Sequence, residues 1–131
     1  MKDNTELNLL TDFAIDISES ANGLSILIKH DYYSSDNENG KAMLDSFLEG
    51  LKLASDRIFL LIIVDSAVKL LESSDKLITL IDSSNTTLIC SDSAEYYQVT
   101  VPSFDESKVH IIPMTEITEQ IIETRPNLIL E

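Results

Sequence analysis

Short apolar runs alternate with segments of helical periodicity from Asn22 onward. Four runs have the length of strands and a fifth follows near residue 131: GLSILIKH (23–30), DRIFLLIIVDSA (56–67), TTLICS (86–91), KVHIIP (108–113) and NLILE (127–131). The second run is apolar on both faces, which is typical of a parallel strand covered by helices on each side. The pattern predicts an α/β, three-layer α/β/α sandwich with a mostly parallel sheet of about five strands.

The segments between these runs predict the helices. Residues 40–55 place Met43, Leu44, Phe47, Leu48 and Leu51 on one apolar face, and Ser35 with Glu38 has the spacing of a capping box. A short helical piece is expected at 67–73 and a second helix at 75–84. The polar connection 92–107 is expected to hold one helical turn. A last helix is expected at 115–124, capped by Thr115, with Ile117, Ile121 and Ile122 facing inward.

Length and patterning indicate one domain. The chain has 131 residues, of which 44% are hydrophobic, so it can bury a sizeable core. Residues 1–21 are acidic and polar around a few apolar positions, and we expect an N-terminal arm or an extra strand there. Residues 22–131 form the predicted α/β domain.

The charge balance limits the classes of partner. Nine basic residues face 23 acidic ones, for a net charge of −14, which disfavours nucleic acids and anionic membrane surfaces. The start of the chain lacks the apolar core of a signal peptide, and the longest apolar runs are too short to span a bilayer. With a single cysteine, no disulfide forms within the chain. We therefore expect a cytoplasmic protein with a reduced thiol.

Candidate chemistry lies where the strands end, because ligands of open α/β sheets gather beyond the carboxyl ends of the strands. Cys90 ends the third strand and is the one strong nucleophile. A following helical turn would favour its thiolate, whereas Asp92 and Glu95 would disfavour it. A buried cysteine that completes an apolar strand is the competing interpretation. The residues expected at the edge of a pocket around it are His30, Asp31, Tyr32, Asp65, Ser66, Lys69, Ser91, Ser93 and Tyr96.

The sequence favours neither a cofactor nor a metal. It contains no G-x-G-x-x-G, P-loop, H-E-x-x-H or G-x-S-x-G pattern. His30, Cys90 and His110 lack the short spacing of most zinc ligands. We therefore expect no cofactor and no metal site.

Three segments follow one another in a characteristic order and at characteristic intervals. Residues 36–41, DNENGK, place Asp36, Glu38, Gly40 and Lys41 in a D-x-E-x-G-K-like stretch. Residues 65–70, DSAVKL, are similar to an NSGVKL-like segment, and residues 90–97, CSDSAEYY, to a CGTCLDFY-like segment. Together they resemble the DsrE-like family, and most strongly the C-terminal domain of YedF-type proteins, the sulfurtransferase-like selenium metabolism group. The resemblance covers roughly residues 22–131.

The resemblance implies a flavodoxin-like fold, a homo-oligomer, and a cysteine that carries sulfur as a persulfide for a relay partner. That role would fall on Cys90. The sequence departs from the family at Ser93, which replaces the second cysteine, and at Ser91, which replaces a glycine. The C-P-x-P cysteine of the family's TusA-like module does not occur within residues 1–131. Two functions stay open: a sulfur or selenium carrier with a single thiol, and a non-catalytic, oligomeric interaction module.

Overall fold

The computed structural model describes residues 23–131, and the arm or extra strand expected at 1–21 lies outside the described residues. Five strands form one sheet in the order β4-β3-β2-β1-β5, and every neighbouring pair is parallel. The predicted α/β fold with a five-stranded parallel sheet is confirmed. The strands are β1 (Leu24–Ile28), β2 (Ile58–Ile63), β3 (Thr86–Cys90), β4 (Val109–Ile112) and β5 (Leu128–Leu130).

Helices cover both faces of the sheet. Every residue of β2 is buried, as its apolar run on both faces predicts. Leu44 of the first helix and Leu80 of the second pack on one face of the sheet, and Ile117 of the last helix packs on the other. The helices are α1 (Glu38–Leu51), α2 (Asp75–Ser83), α3 (Ser91–Tyr96) and α4 (Met114–Thr124), with 3-10 segments at Lys52–Arg57 and Asp65–Glu72.

Two predicted helix caps are wrong. Helix α1 is capped by Asn37, whose Oδ1 accepts the Gly40 N–H at 2.9 Å, rather than by the Ser35–Glu38 pair. Helix α4 begins at Met114, one residue before the predicted Thr115 cap, and no side chain of its own N-cap residue contributes. The Met114 N–H instead donates to Asp92 Oδ2 at 2.9 Å. The cap of α1 is local, since Asn37 lies between Ser35 and Glu38, whereas the partner of the Met114 N–H lies 22 residues earlier in the chain.

The apolar faces of α1 and α4 are narrower than their sequences predict. Ile117 is fully buried and Ile121 is partly buried, but Ile122 is 65% exposed, so its predicted inward position is wrong. Met43 of α1 is likewise 41% exposed. Adjacent residues on a helix differ by about 100° in direction, and α4 turns the side of Ile117 and Ile121 toward the sheet while Ile122 points away.

The strand order places the switch point of the sheet between β1 and β5. The chain moves from β1 through β2 and β3 to β4, and then returns along α4 to pair β5 with the other side of β1. All five strands are parallel, so their carboxyl ends share one edge. The segments that follow β1, β2 and β3 therefore meet at that edge.

Candidate functional site

Seven polar side chains gather at the carboxyl edge of the sheet, contributed by segments that follow β1, β2 and β3. We call this group the carboxyl-edge cluster. Six of its members were expected from the sequence, and Tyr97 is an addition. The cluster comprises His30, Asp31, Asp65, Ser66, Lys69, Ser93 and Tyr97.

Asp31 and Lys69 form the first half of this cluster. The Lys69 Nζ lies 3.2 Å from Asp31 Oδ2, and the Asp31 side chain is only 16% exposed. The Asp31 N–H donates to Ser66 Oγ at 3.1 Å, which fixes the backbone just beyond β1. Lys69 Nζ also stands 5.3 Å from the centre of the Tyr97 ring, a cation–π distance. Lys69 is thus engaged by a carboxylate and by an aromatic face.

Asp65 organises the second half. Its backbone is in the left-handed region, with φ of 52°, and its N–H donates to Ser93 Oγ at 2.8 Å. Its Oδ1 accepts the Tyr97 hydroxyl at 3.0 Å, and its Oδ2 lies 3.7 Å from His30 Nδ1. The hydrogen bond to the Asp65 carboxylate raises the pKa of Tyr97 above its usual value. Asp65 therefore joins the ends of β1 and β2 to helix α3.

Tyr32 and Tyr96, both expected at the pocket edge, flank the cluster. Tyr32 stacks on His30 with ring centres 4.7 Å apart and an interplanar angle of 1°. Tyr96 is 79% exposed and touches Tyr97 edge-on at 4.8 Å. Tyr97, which was not among the residues expected at the pocket edge, makes the contacts to Asp65 and Lys69. The helical spacing from Ala94, the buried residue of α3, favours Tyr97 over Tyr96, because residues three apart lie on the same side of a helix.

Cys90 lies beneath this edge and on the other face of the sheet. Its side chain is 1% exposed and packs in the α4-side core with Leu88 and Ile117. It also acts as the N-cap of α3, where Sγ accepts the Ser93 N–H at 3.4 Å. Ser91, the first residue of α3, is half-buried. The structure therefore places Cys90 in the core, next to the cluster but not open to it.

A groove of about 500 Å³ runs beside the cluster, between α1 and α2. Asp31 belongs to both the groove and the cluster. Leu44, Leu48 and Leu70 contribute apolar lining to the groove, and Lys41 and Lys76 contribute charge. Lys76 forms an ion pair with Asp45 across the two helices, and this hydrogen bond raises the pKa of Lys76. Cys90 is not among the residues that line the groove.

The described residues do not assemble the metal ligands considered from the sequence. Among residues 23–131, no group of three or more His, Cys, Asp or Glu side chains is placed to hold a metal ion. His110 lies on β4 and His30 follows β1, three strand spacings or roughly 14 Å across the sheet. Burial lowers the pKa of His110, which favours a neutral imidazole. His30 and His110 therefore lie in separate parts of the fold.

Comparisons of the chain with protein-family models, curated proteins and solved structures found no match. The resemblance to the DsrE-like family accordingly stays a prediction from the three motifs. None of the helices within residues 23–131 has the length and apolar character to cross a membrane.

Proposed function

We propose that the chain is a non-catalytic interaction module, in which Cys90 is structural and the carboxyl-edge cluster is part of the contact surface. The burial of Cys90 is the observation that supports this proposal most. Cys90 is 1% exposed, packs among apolar side chains and accepts an amide hydrogen bond as a helix cap. A carrier must present its sulfur to a donor and an acceptor, and a buried cap does not.

The cluster itself supports recognition more than chemistry. The Asp31 carboxylate is paired with Lys69, and the Asp65 carboxylate contacts His30 and the Tyr97 hydroxyl, so both carboxylates already have partners within the surface. Exposed tyrosines such as Tyr96 are enriched at protein interfaces, because they bury a large ring and keep a polar tip. We propose a second copy of the chain as one partner and the cytoplasm as the location.

A sulfur or selenium carrier is the second candidate, and one contact favours it. The Ser93 N–H that points at Cys90 Sγ would stabilise a thiolate. With an inorganic polysulfide, the thiolate would attack a terminal sulfur. A new S–S bond would form at Sγ, the adjacent S–S bond of the donor would break, and its electron pair would leave on the shortened polysulfide. Because residue 93 is serine, no second thiol at that position could complete a two-thiol relay.

Incubation with inorganic polysulfide followed by intact-mass measurement separates the two candidates. For the module, we expect the native protein to gain a sulfur atom far more slowly than glutathione does, and the urea-unfolded protein to gain one readily. The control is Cys90→Ser, which keeps a cap acceptor for the Ser93 amide and removes the thiol. Rapid addition of one sulfur to the native protein, absent from Cys90→Ser, would establish the carrier and reject the module.

A further inference from the structure

Helix α3 begins at the residue after Cys90, contacts the buried thiol through the Ser93 N–H, and is weakly anchored by apolar packing. It spans six residues, and Ala94 is its only buried residue. Just past its end, Gln98 has a φ of 55°, and residues 99–108 form no regular helix or strand. Segments with few buried side chains open locally at a lower free energy than the whole domain. Helix α3, with its single buried residue, is such a segment.

Side-chain hydrogen bonds to neighbouring segments hold α3 in place. On one side, Ser93 Oγ accepts the Asp65 N–H at 2.8 Å, beyond the end of β2. On the other side, Asp92 Oδ2 accepts the Met114 N–H at 2.9 Å, at the start of α4. Met114 also packs against the core that contains Cys90. The Asp92 bond therefore ties α3 to a residue that packs against the same core as the thiol.

We propose that α3 is a lid that opens as a unit without global unfolding, and that Asp92 and Ser93 set how often Cys90 becomes accessible. The hinges of this motion would lie at the two ends of α3, between Cys90 and Ser91 and near Gln98. The inference concerns access to the thiol, so it holds whether Cys90 is structural or carries sulfur.

The test is the rate of Cys90 alkylation by iodoacetamide in the native protein, measured by intact mass over a series of low urea concentrations. Removal of one hydrogen bond, in Asp92→Ala or Ser93→Ala, should raise the labelling rate roughly fivefold, which corresponds to about 1 kcal/mol at 1.4 kcal/mol per tenfold. The rate should depend weakly on urea, because opening of six residues exposes little surface. The free energy of global unfolding is measured in parallel for each variant.

The matched control is Asp105→Ala. Asp105 Oδ1 also accepts a backbone N–H, that of Ser107 at 3.0 Å, but it precedes β4, at the opposite end from Cys90. We expect this variant to leave the labelling rate unchanged. The lid is refuted if labelling of every variant follows global unfolding with the same steep urea dependence, or if Asp105→Ala accelerates labelling as much as Asp92→Ala does.

Discussion

Gly40 lies where the first turn of α1 passes close to the loop that carries Asp31 away from β1. A Cβ atom built on Gly40 would stand 1.7 Å from the backbone oxygen of Ser35, whereas real Cβ contacts stay above 3.0 Å. The Ser35 carbonyl would have to move by more than about 1.3 Å. The same carbonyl accepts the Asn37 N–H at 3.0 Å, and Asn37 caps the helix. Gly40→Ala therefore disturbs the loop and the cap together.

The magnitude follows from these contacts. Loss of the Asn37 cap and of the Ser35–Asn37 hydrogen bond costs about 1 kcal/mol each. Steric strain adds about 1–3 kcal/mol, and the better helix propensity of alanine returns at most about 1 kcal/mol. We therefore expect Gly40→Ala to lower the free energy of unfolding by about 2–4 kcal/mol, as measured by urea denaturation followed by circular dichroism.

Gly50 provides the matched control within the same helix. A Cβ on Gly50 meets nothing within 4 Å, so Gly50→Ala gains helix propensity without a clash. We expect it to raise the free energy of unfolding by up to about 1 kcal/mol. If Gly40→Ala proves as stable as the parent protein, the close approach of the loop to α1 is wrong.

Three further predictions concern the buried side of α4, the partly buried histidine His110 and the assembly of the chain. Ile117→Ala should lower the free energy of unfolding by about 2–5 kcal/mol and Ile122→Ala by less than about 0.5 kcal/mol, since only Ile117 is buried. Equal losses in urea denaturation would contradict the orientation of α4. Burial lowers the pKa of His110, so its contribution to stability is present above the unfolded pKa of about 6.5 and is lost as the pH falls below it. His110→Gln should reduce that acid dependence, measured as urea midpoints from pH 7 to 5. If the variant keeps the same pH profile, a group other than His110 causes the loss of stability. Light scattering should give a closed homo-oligomer, and a monomer mass at every concentration would exclude that assembly.

Sequence patterns predicted most of the fold because its main determinants are local. The apolar run of β2 and the periodic leucines of α1 are visible within single segments. The cap of α4 was not predictable in this way, because it comes from Asp92, which precedes Met114 by 22 residues. The start of α4 depends on such a distant partner, which becomes a neighbour only after the sheet has assembled, whereas α1 and α2 are capped by Asn37 and Ser74, directly before them.

The candidate site was predictable in position but not in detail. The rule that strand ends share an edge brought His30, Asp31, Asp65 and Lys69 together correctly. Whether Tyr96 or Tyr97 contacts the cluster depends on which of them lies on the side of α3 that faces it. The burial of Cys90 follows from the covering of both faces of the sheet: Leu88 and Cys90 are buried on the α4 side, and Ile89 is buried on the other side. The sequence alone does not tell that this cover extends to the last residue of β3.

The pairing of β1 with β5 has a consequence for the order in which the chain folds. Strands β1 to β4 add to the sheet in sequence order, each beside the one before it, whereas β5 pairs with β1 across most of the chain. The Ser25 N–H donates to Asn127 Oδ1 over a separation of 102 residues. Closing so long a loop costs entropy before any contact compensates for it. The final strand should therefore join the sheet late, after the other four have formed a template for it.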